Sequence, residues 1–98
     1  MQIQIQRRAE IALRSLPPVE QKRLHRALYD LESMDRAGLG RSHKLKRLPL
    51  RAHDRQLFVY ISTGRLRLIL SLSDEVCIVE DVVDHDQFER MVAKQGQE

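Results

Sequence analysis

The chain has 98 residues, 42% of them hydrophobic and 32% charged, with four Gly and three Pro, which suits one folded domain over 1–98 with one modest core and excludes both a second domain and a disordered polyelectrolyte. No apolar run approaches the ~20 residues of a bilayer crossing, and Met1-Gln2-Ile3-Gln4-Ile5-Gln6 alternates where a secretory leader would be continuously apolar, so the expectation is a soluble cytoplasmic protein. The single cysteine, Cys77, has no partner for an internal disulfide, and the formal net charge of +3 favours an acidic partner.

Ile3 and Ile5 alternate with glutamines, which predicts a strand over 2–6 with one buried face. From Arg8 the period lengthens: Ala9, Ala12, Leu13 and Leu16 fall on one helical face until Pro17-Pro18 stops it. Pro18 then suits the first turn of a second helix with Leu24, Ala27, Leu28, Leu31 and Met34 on its apolar side, ended by Gly38 and Gly40. The two helices predict a hairpin covering a sheet. Residues 41–55 hold no sustained period and read mostly as loop, with Lys44-Leu45-Lys46-Arg47-Leu48 able to pair briefly as an edge strand before Pro49.

Three β-rich runs follow, 57–61, 65–72 and 76–83, separated by Ser62-Thr63-Gly64 and Ser73-Asp74-Glu75, so they predict an antiparallel meander. In the middle run Leu66, Leu68, Leu70 and Leu72 share one face, while Arg65, Arg67, Ile69 and Ser71 share the other. Asp84 or Asp86 can cap a short closing helix carrying Phe88, Met91 and Val92, followed by a polar tail. The fold class expected is α+β: a mostly antiparallel four-stranded sheet, the helical hairpin on its leucine face, and the other face open. The first strand, separated from the rest by two helices, is free to join parallel to a neighbour.

Charge is unevenly spread. Residues 1–55 hold thirteen Lys and Arg against six Asp and Glu, a balance of +7, whereas 56–98 hold four against eight, a balance of −4. Arg41, Lys44, Lys46, Arg47, Arg51 and Arg55, with His43 and His53, concentrate the field that a phosphate backbone would meet; the same run also fits a solvated loop. On the open sheet face Arg65 and Arg67 offer planar, permanently charged forks suited to phosphate, unless they pair with Glu80 or Asp81 on the adjoining strand. His85 directly follows the last strand, where side chains reach a site rim, and an imidazole exchanges protons near neutral pH. His25 reads as a solvent-facing helical residue. No HxxxH, HExxH or Cys–His spacing appears, so no metal is expected, and no Gly-rich phosphate loop or nucleophile elbow is present. Aromatic residues are 4% of the chain, too few for a base-stacking platform.

His43-Lys44-Leu45-Lys46-Arg47-Leu48, then Arg65-Leu66-Arg67-Leu68-Ile69-Leu70, then the run 76–83 ending in Asp84-His85, resembles the RelE/ParE superfamily in element order across nearly the whole chain. In that family a "KLK" segment leads into the sheet, a "YRLxY" strand carries an arginine, and an apolar strand ends in a Gly-His or Gly-Lys-Arg turn. The resemblance implies the toxin of a bacterial toxin–antitoxin pair and a cognate antitoxin that wraps its basic surface. In nuclease members, which cleave messenger RNA on the ribosome without a metal or other cofactor and so inhibit translation, it implies that Arg67 matches the strand arginine and His85 the residue after the last strand. Arg65 would then assist Arg67, and Lys44, Lys46, Arg47, Arg51 and Arg55 would hold RNA phosphates.

Phe58 and Tyr60 stand where some nuclease members have lysines, Asp86 where a second basic residue is expected, and Phe88 near an expected tyrosine. No general acid is identified. Those departures fit two alternatives: a ParE-like toxin that inhibits DNA gyrase by binding, or a catalytically degenerate RNA-binding member.

Overall fold

The alternating leucines of Leu66–Ser73 form the middle of the sheet. In the computed structural model, which describes residues 1–62 and 64–96, this strand (β4) lies between β3 (Arg55–Ile61) and β5 (Val76–Asp84), antiparallel to both. Outside them lie β1 (Gln2–Ile5), parallel to β5, and β2 (Leu45–Ala52), antiparallel to β3, giving the order β1-β5-β4-β3-β2. The class is the expected one, but the sheet has five strands, because most of the segment read as loop is β2. Thr63, in the expected turn at 62–64, and the end of the polar tail at 97–98 lie outside the described residues.

β2 forms despite Pro49 because it is an edge strand, where a missing N–H costs little. Its register to β3 breaks between Arg47 and Arg51. There the Gln56 side-chain amide donates to the carbonyls of Leu48, Leu50 and Leu57, satisfying backbone acceptors where the ladder to β3 is irregular. The hairpin closes through His53 and Asp54, both at positive φ (51° and 62°), the backbone of a tight two-residue turn.

The hairpin of α1 (Arg7–Arg14) and α2 (Pro18–Glu32) covers the leucine face as expected, and five-residue α3 (Arg36–Gly40) follows. Ala9, Leu13, Leu24, Ala27, Leu31 and Leu39 meet Tyr60, Leu66, Leu68, Leu70, Cys77, Val79 and Val82 there. Gly38 and Gly40 do not end the second helix. It stops at Ser33, and the glycines belong to α3, whose Asp35 cap accepts a hydrogen bond from the Gly38 N–H at 2.6 Å.

The second correction concerns the other face, which is not open. The closing helix, α4 (His85–Gly96), lies on it with Phe88, Met91 and Val92 over Leu48, Leu50, Leu57, Val59, Ile69 and Val83. Leu48, Leu50, Ala52, Leu57, Val59, Ile69 and Val83 of β2 to β5 point away from the hairpin, and water exclusion favours covering them. No helix is long and apolar enough to cross a membrane among the described residues.

A bulge keeps β5 in phase with both layers. Ile69 opposes Asp81 but Leu70 opposes Val79, so Glu80 is the extra residue. Cys77 and Val79 face the hairpin before it, and Val82 faces the hairpin after it, leaving Val83 for α4. Without the bulge these valines would exchange faces. Glu80 and Asp81 consequently line the same hollow beside α4.

Cys77 is fully buried among these apolar groups, and burial pushes its thiol up to about 11, the nearby N-terminal ammonium opposing the shift. Ellman's reagent at pH 8 is therefore expected to leave the thiol of the folded protein unreacted, and to titrate it fully in denaturant. Rapid reaction of the native protein would contradict that burial.

Candidate functional site

β4 begins, β5 ends and α4 starts at one corner of the sheet. Arg67 opposes Val83 on one side and Ile61 on the other, and Leu66 opposes Asp84, so Arg65 and His85 flank the same corner. The backbone thus sets the three residues at one corner, although the hollow there is lined by Arg65 and not by Arg67 or His85. Asp84 fixes how α4 leaves it: its carboxylate accepts from the Gln87 N–H at 2.7 Å, and the Gln87 side chain accepts from the Asp84 N–H at 2.9 Å. This reciprocal cap sets His85 in the first turn of the helix. Asp84→Ala is expected to cost about 1 kcal/mol in a urea melt, and an unchanged midpoint would show that the cap contributes nothing.

The two arginines differ. Arg67 is half-buried and its Nη1 donates to the carbonyls of Gly64 (3.1 Å) and Leu66 (3.0 Å); no carboxylate pairs with it among the described residues. Arg65 Nη2 instead lies 2.8 Å from Asp86 Oδ2. Both side chains of that pair are more than 60% exposed, so it is weak and a polyanion can displace Asp86. His85 Nε2 stands 3.6 Å from Glu89 Oε1 on the solvent side of α4. Arg65, Leu66, Val83, Asp84 and Gln87 line a hollow of about 330 Å³ that reaches Ser15, Leu16 and Glu20 of the hairpin.

The pairing considered for Arg65 and Arg67 with Glu80 and Asp81 is not present. Arg55 takes Glu80 instead: its Nη2 is 2.9 Å from Glu80 Oε2, its Nε donates to Ser71 Oγ at 3.1 Å, and Ser71 donates to the same carboxylate oxygen at 2.6 Å. Arg8 approaches Asp81 at 3.9 Å. This polar cluster, toward the opposite end of the α4 face from Arg67, was not foreseen, because only the bulge turns Glu80 toward Ser71.

The remaining basic candidates disperse. Lys46, opposite Val59, and Arg47, opposite Phe58, are exposed along the β2 edge. Arg51 donates to the Asp54 carbonyl in the hairpin turn and, with His53, lines a hollow of about 450 Å³ shared with Arg8, Glu80, Asp81 and Met91. Lys44 lies under α2, in a cleft with Lys22, Arg23, Arg26, Tyr60 and Ser62. Phe58 and Tyr60 turn toward the hairpin core, so β3 presents Leu57, Val59 and Ile61 on the α4 side. His25 and His43 are exposed, and no group of three or more His, Cys, Asp or Glu suited to a metal occurs among the described residues.

The architecture matches a chain of the archaeal RelE–RelB complex from Pyrococcus horikoshii OT3 with a TM-score of 0.64, over 86% of this chain and 93% of that one. The chain has the RelE fold. Identity with that structure is 21%, so the likeness speaks for the backbone and not for the site. No family model matches the sequence, and no curated protein does. In this RelE-like chain the described corner lies where the central strand meets the start of the closing helix, and its chemistry rests on the residues themselves: one guanidinium without an acidic partner among the described residues, one loosely held by Asp86, and an exposed imidazole.

Proposed function

We propose that residues 1–98 form the toxin of a toxin–antitoxin pair, acting as a metal-independent endoribonuclease on messenger RNA in the ribosome. The observation that carries this reading is Arg67, whose guanidinium has no carboxylate partner among the described residues although it sits beside a strand end with Arg65 and His85 on a RelE fold. An unneutralised fork at that corner suits a phosphate whose charge increases during reaction. The ribose 2′-oxygen attacks the adjacent phosphorus, His85 takes its proton, and the 5′-oxygen leaves with a proton from the medium, giving a 2′,3′-cyclic phosphate and a 5′-hydroxyl. Arg67, and Arg65 released from Asp86, hold the equatorial oxygens. Lys46, Arg47 and Arg51 hold flanking phosphates along the β2 edge. A cognate antitoxin of opposite charge covers the same surface.

A second reading has its own support. On the α4 side β3 carries Leu57, Val59 and Ile61 toward the Arg67 corner, its cation Arg55 is taken by Glu80 farther along, and Arg65 is half neutralised. A toxin that acts by binding DNA gyrase needs neither. Inducible expression in cells separates the readings: growth arrest with cut ribosome-bound transcripts, lost in Arg67→Ala and His85→Ala, is expected. Arrest with intact transcripts and loss of plasmid supercoiling supports the gyrase reading, and RNA binding insensitive to both substitutions supports a degenerate member.

A further inference from the structure

A second basic site is built on the opposite side of the sheet. Lys22, Arg23 and Arg26 occupy neighbouring turns of α2, at the spacing that places side chains over one groove. They overhang a cleft of about 250 Å³ completed by Ala27, Asp30, Lys44, Tyr60 and Ser62. Lys44 is held there by the backbone, since its carbonyl accepts from the Ile61 N–H at 2.9 Å, immediately before Ser62. A second hollow, of about 280 Å³, adjoins across Lys44 and Ser62 and takes in His43 and Ile61.

The hydroxyls decide what the cleft is suited to. Tyr60 and Ser62 are only 2% and 7% exposed, yet neither hydroxyl has a hydrogen-bond partner among the described residues. Neither is sealed from solvent, so what remains exposed of them opens where they line the cleft. Burial, with Asp30 nearby, raises the Tyr60 hydroxyl above its ordinary range, which keeps it a donor at neutral pH. Arg26 Nε lies 3.8 Å from Asp30 Oδ1 in an exposed pair that a stronger anion can displace, so two waiting donors and four cations, against that one carboxylate, call for an acceptor with several oxygens and more than one negative charge. A carboxylate supplies two oxygens and a single charge, whereas a phosphate supplies more of both.

We propose that the cleft between α2 and the end of β3 binds the phosphate of a nucleotide unit, with Lys22, Arg23, Arg26 and Lys44 neutralising it and the Tyr60 and Ser62 hydroxyls donating to its oxygens. The tyrosine ring and Ala27 provide an apolar floor for the attached sugar or base, and the adjoining hollow gives room for a second unit. The cleft meets the Arg67 corner at Gly64, which the Arg23 guanidinium approaches and whose carbonyl accepts from Arg67, but it is built from other side chains and does not rest on the toxin reading.

Amide chemical-shift titration of the intact protein with inorganic phosphate, adenosine 5′-monophosphate, hexauridylate and, as a carboxylate control, glutamate tests it. Saturable shifts at Ala27, Lys44 and Ser62 are expected with the phosphate probes. The exposed double variant Arg23→Gln/Lys44→Gln is expected to weaken binding at least about tenfold, and Tyr60→Phe or Ser62→Ala about threefold to tenfold each. Comparable affinity for the monophosphate and the hexamer identifies a free nucleotide as the source, and a marked preference for the hexamer identifies a nucleic-acid strand; either supports the site. Glutamate binding as tightly as phosphate, shifts that never saturate, or affinity unchanged in the double variant and in both hydroxyl variants overturns it. None of these outcomes depends on Arg67 or His85, so the site and the nuclease reading fail separately.

Discussion

Replacing Arg67 by alanine is expected to lower transcript cleavage about 100-fold, the usual scale for deleting one donor aimed at developing charge, while leaving the fold in place. The two effects separate because the guanidinium contributes little to stability: its hydrogen bonds go to two carbonyls of its own turn. Losing these costs at most about 1 kcal/mol. Lysine at this position keeps the charge but not the planar fork, so an intermediate rate is expected. Single-turnover cleavage of ribosome-bound messenger RNA measures the rates, with urea melts run in parallel. Cleavage by Arg67→Ala at the unsubstituted rate would remove this residue from the chemistry, and equal loss in the lysine and alanine variants would show that geometry matters as much as charge.

The largest stability effect is expected from the cluster on the far end of the same face. Glu80 is 12% exposed and Arg55 30%, and Ser71 is fully buried between their strands. Glu80→Ala leaves the guanidinium in a half-buried position without its acid, and is expected to destabilise the protein by about 2 to 3 kcal/mol, below the range for a fully buried pair because Arg55 retains some water. Replacing both members, as Arg55→Met/Glu80→Leu, removes the stranded charge and is expected to recover much of that loss. A double-mutant cycle by urea denaturation reads the coupling. Additive costs would mean that the two side chains do not act as a pair in solution.

The parts of the fold legible in the sequence are those governed by a short repeat. The leucines of β4 alternate, the apolar residues of α2 recur at helical spacing, and the Pro17-Pro18 corner separates two helices, so the hairpin and its sheet face follow from local pattern. β2 was obscured by one residue. Leu48, Leu50 and Ala52 alternate with Pro49 and Arg51 as a half-buried strand should, but a proline is tolerated there only because the strand is at an edge and Gln56 supplies donors, and neither fact is local. The same holds for α4: Phe88, Met91 and Val92 announce an amphipathic helix without saying which face it covers. Arg65 and Arg67 drew attention to a polar surface on which Leu57, Val59, Ile69 and Val83 in fact form a second core. Of the candidate site, only the placing of Arg65, Arg67 and His85 near one corner of the sheet was readable from strand order. The Glu80 bulge and the meeting of Lys44 with α2 depend on register and tertiary approach, which leave no periodic trace.

Pro49 has a further consequence for how this molecule meets others of its kind. β2 is the sheet's outermost strand on that flank, and it carries Lys46, Arg47 and Arg51 around a residue that has no amide hydrogen. A second copy sliding alongside to continue the ladder would bring like charges together and find the ladder broken midway, so stacking of this domain into β-fibrils through that margin is disfavoured. An extended acidic segment from a different chain escapes the first penalty and gains from the same cations, which makes this border selective for strangers over siblings.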